Sequence, residues 1–386
     1  MTVTLYAYAF LDEFVLLYPV YVLLFADGGL SVGQISSLFV LWSLTGVLLE
    51  VPSGAWADAV SRRMLLWLGP LLGAAGFALW VLVPSYWAFA AGFVLWGARG
   101  ALSSGALEAL VYEELERAGA ADRYARMTGR AHALGQAAVM TATALAGPVL
   151  AAGGYRAVGA ASVLAALLCA AAATRFPEHR TPAAPSEDGW AATLRAGFAD
   201  VRADRRVLGA LLLVPAVTAV WGALDEYTPL LVGETGVPDA EVPRLLVLIW
   251  AAVTAAGLLA GPAERLGRTG LAVLLAGAAL ALAAGALTAR PVGIVLVALA
   301  FGGFQLATVL ADVRLQRRIE GAGRATLTSV AGLGTDVVTI GVYGVYGFLG
   351  SAFGHGAAFA ACAVPYLLTA LALAGARRQR ARSGPR

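Results

Sequence analysis

The sequence predicts an all-α integral membrane protein, with twelve transmembrane helices in two pseudo-symmetric six-helix bundles. Three observations predict it: the composition, the recurrence of long apolar stretches, and an echo between the two halves. Of 386 residues, 60% are hydrophobic and 13% charged, whereas soluble domains carry about 25% charged residues. A soluble fold needs a charged surface, so the better solvent for this surface is lipid. Gly and Ala are abundant, as expected where helices must approach closely in lipid.

Each span follows from length. A helix needs about 20 apolar residues to cross roughly 30 Å of hydrocarbon. Such stretches fall near 5–26, 33–53, 64–83, 86–110, 128–151, 156–175, 207–232, 244–263, 269–289, 291–312, 326–349 and 354–375. Barrel strands would be shorter and alternate. The first stretch has no basic leader and contains Asp12 and Glu13, so no cleavable signal peptide is expected. Cys169 and Cys362 each lie inside a span. Buried inert thiols are the expectation, with no disulfide framework, metal site or cofactor.

Charge placement gives orientation. All 27 basic residues are Arg. With the N-terminus inside, the even-numbered loops and the tail hold 23 of them, and the outer loops hold only Arg156, Arg244 and Arg290. The Arg-rich side is expected to be cytoplasmic, which places both termini there, in the cell (inner or plasma) membrane. The basic clusters then report topology, not nucleic-acid binding. The tail run Arg377-Arg378-Gln379-Arg380 also suits anionic lipid headgroups.

The longest polar interruption separates the halves. The expected domains are an N-terminal bundle over 1–176, a cytoplasmic linker over 177–206, a C-terminal bundle over 207–376 and a basic tail over 377–386. In the linker, Trp190, Leu194, Phe198 and Val201 are spaced for a short helix on the membrane surface. Gly54-Ala55-Trp56-Ala57-Asp58 with Arg62 after span 2 is echoed by Ala260-Gly261-Pro262-Ala263-Glu264 with Arg268 after span 8. Glu108 in span 4 is echoed by Asp312 in span 10. Asp12-Glu13 is echoed by Asp225-Glu226, with a shift of about six residues. Internal repeats around a central site mark secondary transporters.

Gly54 to Asp58 followed by Arg62 and Arg63 resembles the loop 2–3 signature of the major facilitator superfamily, with Ser61 where Gly is usual and Ala59 where Arg is usual. The copy at 260–268 falls where that family places its second copy. Arg99 with Gly105 resembles the family's span 4 motif, Ser103 replacing a usual Gly. Gly147-Pro148 with Gly153-Gly154 resembles its antiporter motif, with four residues, Val149 to Ala152, between. The resemblance implies a drug/proton-antiporter-like efflux transporter whose spans 1, 4, 7 and 10 line a cavity. Independently of the family, Gly54 lets two helix ends approach, and Asp58 can latch a helix N-terminus or an Arg. With Arg62, Arg63, Glu264, Arg268, Gly147 and Pro148 it forms the expected conformational set.

Ionisable residues inside spans are costly and usually functional. Span 1 holds Asp12 and Glu13, span 4 Arg99, span 7 Asp225 and Glu226, and span 11 Asp336. Tyr8 shares a face with Asp12, and Trp221 and Thr228 share one with Asp225. Gln305 adds a neutral polar group in span 10, and Tyr227 an aromatic one beside Glu226. Tyr18 and Trp96 are further aromatic candidates, although packing is the ordinary role of such residues. Five carboxylates face one Arg. A carboxylate without a cation beside it in low dielectric tends to hold a proton. The expectation is a monomeric proton-coupled exporter of a small amphipathic cationic or zwitterionic compound, with Asp225 and Asp336 exchanged between proton and substrate. Alternatives are a proton-coupled uptake symporter and, less well supported, an intramembrane enzyme. Three scattered His give no metal cluster or nucleophile–base pair, and no phosphate loop suggests an ATP-driven pump. His132 is read as an interfacial residue before a relay, and Glu50, Glu108 and Asp312 as gating or capping groups.

Overall fold

A backbone amide in hydrocarbon must be satisfied within its own segment, so the apolar stretches become helices. The computed structural model describes the backbone of residues 1–59, 61–103, 105–177, 205–317 and 324–382, without the side chains of 50–59, 205–207, 324–326 and 376–382. Its helices are α1 (Thr2–Glu13), α2 (Tyr21–Asp27), α3 (Val32–Ala59), α4 (Arg62–Leu82), α5 (Tyr86–Ser103), α6 (Ala106–Arg117), α7 (Tyr124–Ala173), α8 (Arg205–Gly233), α9 (Val242–Leu258), α10 (Ala260–Ala263), α11 (Arg268–Leu287), α12 (Gly293–Gln316), α13 (Arg324–Cys362) and α14 (Val364–Arg382). No strand occurs among the described residues. Eight helical stretches are long and apolar enough to cross a membrane. Two of these, Ala121–Ala173 and Leu327–Gly375, each contain two of the expected spans. The expected surface helix of the linker lies outside the described residues.

The chain divides into two compact units, Met1–Pro185 with Pro238–Arg244, and Ser186–Val237 with Leu245–Arg386. In the first unit, span 1 is not one helix but two, α1 and α2, joined by non-helical Phe14–Val20. Pro19 explains the break: it has no amide hydrogen, and it disfavours helical dihedrals at Tyr18. The freed groups find partners. Val15 N donates to Glu13 O at 2.9 Å, and Leu17 N to the buried Ser162 Oγ at 3.0 Å. Span 4 is likewise broken, into α5 and α6, at Gly105 (φ 70°).

α7 is a hairpin folded at Gly154 (φ 64°). On its first arm, Gly135 lies against Glu13 and Tyr155, just past the fold, reaches Asp27, so this arm runs with span 1. On its second arm, Ser162 meets Leu17 and Phe176, just beyond, meets Tyr8, so it runs against span 1. The interior is aromatic, with Phe25, Phe39, Phe77, Trp80, Phe89 and Phe93 all at 0% exposure. Trp96 stacks on Tyr18 and Trp42 at centroid distances of 5.2 and 4.8 Å.

The second unit repeats the plan. α13 carries the matching fold at Gly354 (φ 82°). Its first arm runs with α8, Gly334 beside Pro215 and Tyr346 stacked on Tyr227 at 3.6 Å. The two folds are fastened alike. Tyr155 Oη donates to Asp27 Oδ2 at 2.8 Å. His355 N and Gly356 N donate to Glu234 at 3.0 and 3.2 Å. In each unit, a carboxylate at the end of the first span holds the residue that follows the glycine.

Candidate functional site

The break in span 1 places Asp12 and Glu13 at the C-terminal end of α1, where side chains and carbonyls are open to other partners. Arg99 on α5 takes Asp12 twice: Nη2 donates to Oδ1 at 2.6 Å and to the main-chain carbonyl at 2.8 Å. Nη1 donates to Tyr18 Oη at 3.5 Å. Arg99 is 6% exposed, so its charge is held almost entirely by Asp12. Two glycines of α4 make room for it. A Cβ at Gly73 would lie 3.0 Å from Arg99 Cδ, and one at Gly69 would lie 3.7 Å from Cγ. Neither glycine was singled out in the sequence; their four-residue spacing opposite a charged span is the signal that could have found them.

Beside this pair is a cavity of about 160 Å³ between α1, α6 and α7, lined by Tyr8, Asp12, Glu13, Glu108, His132 and Gln136 among others. Tyr8, Ala131 and Gly135 are buried, whereas Glu108, His132 and Gln136 are exposed at its rim. Glu13 sits over Gly135, where a Cβ would come within 3.3 Å of its Cγ. His132 is close enough to Glu13 for their charges to interact. The Tyr8 hydroxyl is buried beside the Ser103 hydroxyl, with neither at full hydrogen-bond geometry. The break at Gly105 puts Glu108 in the first turn of α6, where a helix N-terminus favours an acid.

The Major Facilitator Superfamily profile matches residues 2–354. The chain belongs to this superfamily. Members of the superfamily with solved structures share its fold at low identity. A point mutant of the nucleoside transporter NupG matches with TM-score 0.81 at 13% identity, over 97% of this chain and 99% of that one. A bacterial homologue of the human lysosomal transporter Spinster, inward-facing and occupied, gives 0.76 at 15%, over 99% and 96%. The D-xylose–proton symporter gives 0.66 at 16%, over 96% and 95%. No curated protein matches by sequence. As a superfamily member the chain is a multi-pass membrane transporter of small molecules, not an enzyme.

The superfamily's loop signatures can now be placed. The side chains of Gly54 and Asp58 lie outside the described residues. Arg62 Nη1 pairs with Glu113 Oε1 at 2.6 Å, and Arg63 Nη1 donates to Phe176 O at 3.4 Å. In the second unit Glu264 pairs with Arg317, while Arg314 Nη2 donates to Leu266 O at 2.7 Å. Counting from the echoes, Arg317 stands where Glu113 stands in the first half. Each superfamily loop therefore pairs with the end of the span 4 equivalent, but the polarity is reversed. Arg268 stands at the start of α11. Gly147 packs on the Asp239–Glu241 turn, where a Cβ would lie 2.3 Å from Ala240 O; Pro148 follows it within α7.

The second unit brings its polar residues together differently. Asp225 and Glu226 sit half-buried in unbroken α8, unlike Asp12 and Glu13 at a helix end. This is the physical content of their shifted echo. Pro229 removes the amide that would bond the Asp225 carbonyl. One turn earlier, Tyr366 Oη inserts into the helix ladder, accepting from Trp221 N at 2.8 Å and donating to Val217 O at 3.4 Å. Trp221 Nε1 donates to Thr308 Oγ1 at 3.2 Å. The sequence missed both Tyr366 and Thr308, because a lone hydroxyl in an apolar span reads as packing. Tyr227 is fully buried under Tyr346. Gln305 and Asp336 are half-buried in α12 and α13.

Proposed function

We propose that the chain is a proton-coupled exporter of a small amphipathic cationic or zwitterionic compound, of the drug/proton-antiporter kind. It works by alternating access as its two six-span halves, 1–176 and 207–376, rock about the substrate. The observation that carries the reading is the cavity beside the interrupted span 1. It gathers Asp12, Glu13 and Glu108, and Arg99 forms its ion pair with Asp12. A broken helix beside a polar cavity is the common form of a transporter's solute site, and surplus carboxylates there favour a cation or a proton. Asp225 and Asp336 serve as proton-exchanging groups in the second half. Gly147-Pro148 supports exchange over symport. The Arg distribution supports a cell-membrane protein with both termini cytoplasmic; the proposed working unit is a monomer.

The test is reconstitution into liposomes under an imposed pH gradient, with a panel of cationic and zwitterionic compounds. Gradient-driven flux is expected, with Asp225→Asn and Asp336→Asn uncoupling it. Undiminished gradient-driven flux in both variants would overturn the proton-site assignment, and flux indifferent to pH for every compound would overturn proton coupling itself.

A further inference from the structure

We infer that the cavity of the first unit is built for a compact organic monocation and excludes zwitterions and anions. Glu13 and Glu108 hold the cationic centre, and the Tyr8 hydroxyl makes the neutral contact. This rests on the reading that the cavity lies on the solute path, and sharpens it.

Size comes first. The cavity offers about 160 Å³ and opens at its Glu108, His132 and Gln136 rim, and a cavity of about 150 Å³ accommodates one benzene molecule. The part of the occupant held inside is therefore about one ring, with its substituent at the rim. The apolar part of the wall, Leu5, Ala9, Leu107 and Val111, suits a hydrocarbon body.

Charge decides the class. No Arg or Lys lines the cavity among the described residues. Arg99, the one buried cation among the described residues, has both its strong bonds on Asp12 and is 6% exposed. It cannot turn to a substrate carboxylate without breaking that pair. A zwitterion would bring its anionic end to Glu13 and Glu108 with only His132 to offset them, and like charges in low dielectric repel strongly. A cation meets two carboxylates, Glu13 and Glu108, while the Arg99 ion pair is with Asp12.

Tyr8 adds a neutral polar residue to the cavity wall. It is 2% exposed, and its hydroxyl lies beside the Ser103 hydroxyl, with neither at full hydrogen-bond geometry. A buried hydroxyl whose only polar neighbour is poorly placed gains from an occupant that brings an acceptor or a π face.

The test is equilibrium binding by calorimetry to the purified full chain at neutral pH, with benzylamine, benzyl alcohol and phenylglycine as matched cation, neutral and zwitterion. Benzylamine is expected to bind at least about tenfold more tightly than the other two, as loss of a charge-assisted contact implies. Glu13→Gln should weaken benzylamine by about tenfold or more, and Tyr8→Phe and Glu108→Gln by several-fold. Should Glu13→Gln not yield folded protein, the other two variants and the ligand series still decide the matter. Equal or tighter binding of phenylglycine or benzyl alcohol would overturn the inference. So would no binding of benzylamine, or unchanged benzylamine affinity in the folded variants. Binding needs no gradient, so benzylamine that binds as expected but is not moved by a pH gradient would sink the proposed coupling alone. Gradient-driven flux of a zwitterion, with benzylamine unbound, would sink this inference alone.

Discussion

Replacing Asp12 with Ala tests the hinge of the site. The change removes the carboxylate that holds Arg99 at 2.6 Å but leaves the main-chain carbonyl at 2.8 Å. Breaking a buried ion pair from one side costs about 3–5 kcal/mol, chiefly because a charge is left uncompensated. Two features reduce that figure here. The Asp12 side chain is 23% exposed, and the carbonyl bond survives. About 2–3 kcal/mol is therefore expected. Arg99→Met leaves Asp12 alone and should cost a similar amount. The double variant removes both charges and should recover much of the loss, giving a coupling of about 2 kcal/mol, or roughly 30-fold in an equilibrium constant. The assay is a double-mutant cycle from unfolding of the purified protein, followed by tryptophan fluorescence. Neutral interhelical hydrogen bonds in membranes average about 0.6 kcal/mol. A coupling at or below that value would refute the claim that Arg99 is locked by Asp12, and with it the argument that no cation is left for a substrate.

Four further outcomes follow from the geometry. Glu234→Ala removes the acceptor of His355 N and Gly356 N; it should cost about 1–2 kcal/mol and speed hydrogen exchange in the turn after Gly354. Tyr366→Phe removes the hydroxyl bridging Val217 O and Trp221 N, with an expected loss of about 1 kcal/mol and faster exchange at the Trp221 amide. Gly92→Ala places a Cβ 2.0 Å from Trp80 Nε1 in a ring cluster with no slack, so thermal unfolding should show a loss of about 3 kcal/mol or more. Arg62 and Glu113 are 22% and 44% exposed, so Glu113→Gln should cost under about 1 kcal/mol, and raised salt should erase the difference.

The second-half loop shows how sequence patterns and contacts diverge. The acid and base of the motif keep their spacing in both halves, and both halves pair a loop with a neighbouring span. Yet Arg62 pairs with Glu113 and Glu264 pairs with Arg317. Spacing along the chain shows that a group is available. It does not say which neighbour will claim it. Span 1 teaches the same lesson: Pro19 was visible, but hydropathy averages over it, and the break depends on Ser162 and Arg99 accepting or donating to the freed groups. The aromatic candidates divided in the same manner. Tyr18 and Trp96 stack in a packed cluster, Tyr227 lies under Tyr346, and Tyr8 lines the cavity.

By itself the sequence determined the helical membrane fold, the number of spans, the superfamily motifs and the set of spans that carry charge. Those are local properties: a backbone in hydrocarbon must bond within its own segment, and a charge in a span is costly wherever the span lies. Only the tertiary structure decided that Arg99 belongs to Asp12, that Glu13 and Glu108 share a cavity with His132, and that Tyr366 opens the ladder of α8. Each of those contacts joins residues from 87 to 149 positions apart, or different helices. Which side chains meet there depends on how helices cross and where glycines let them close, and no spacing along one helix encodes that.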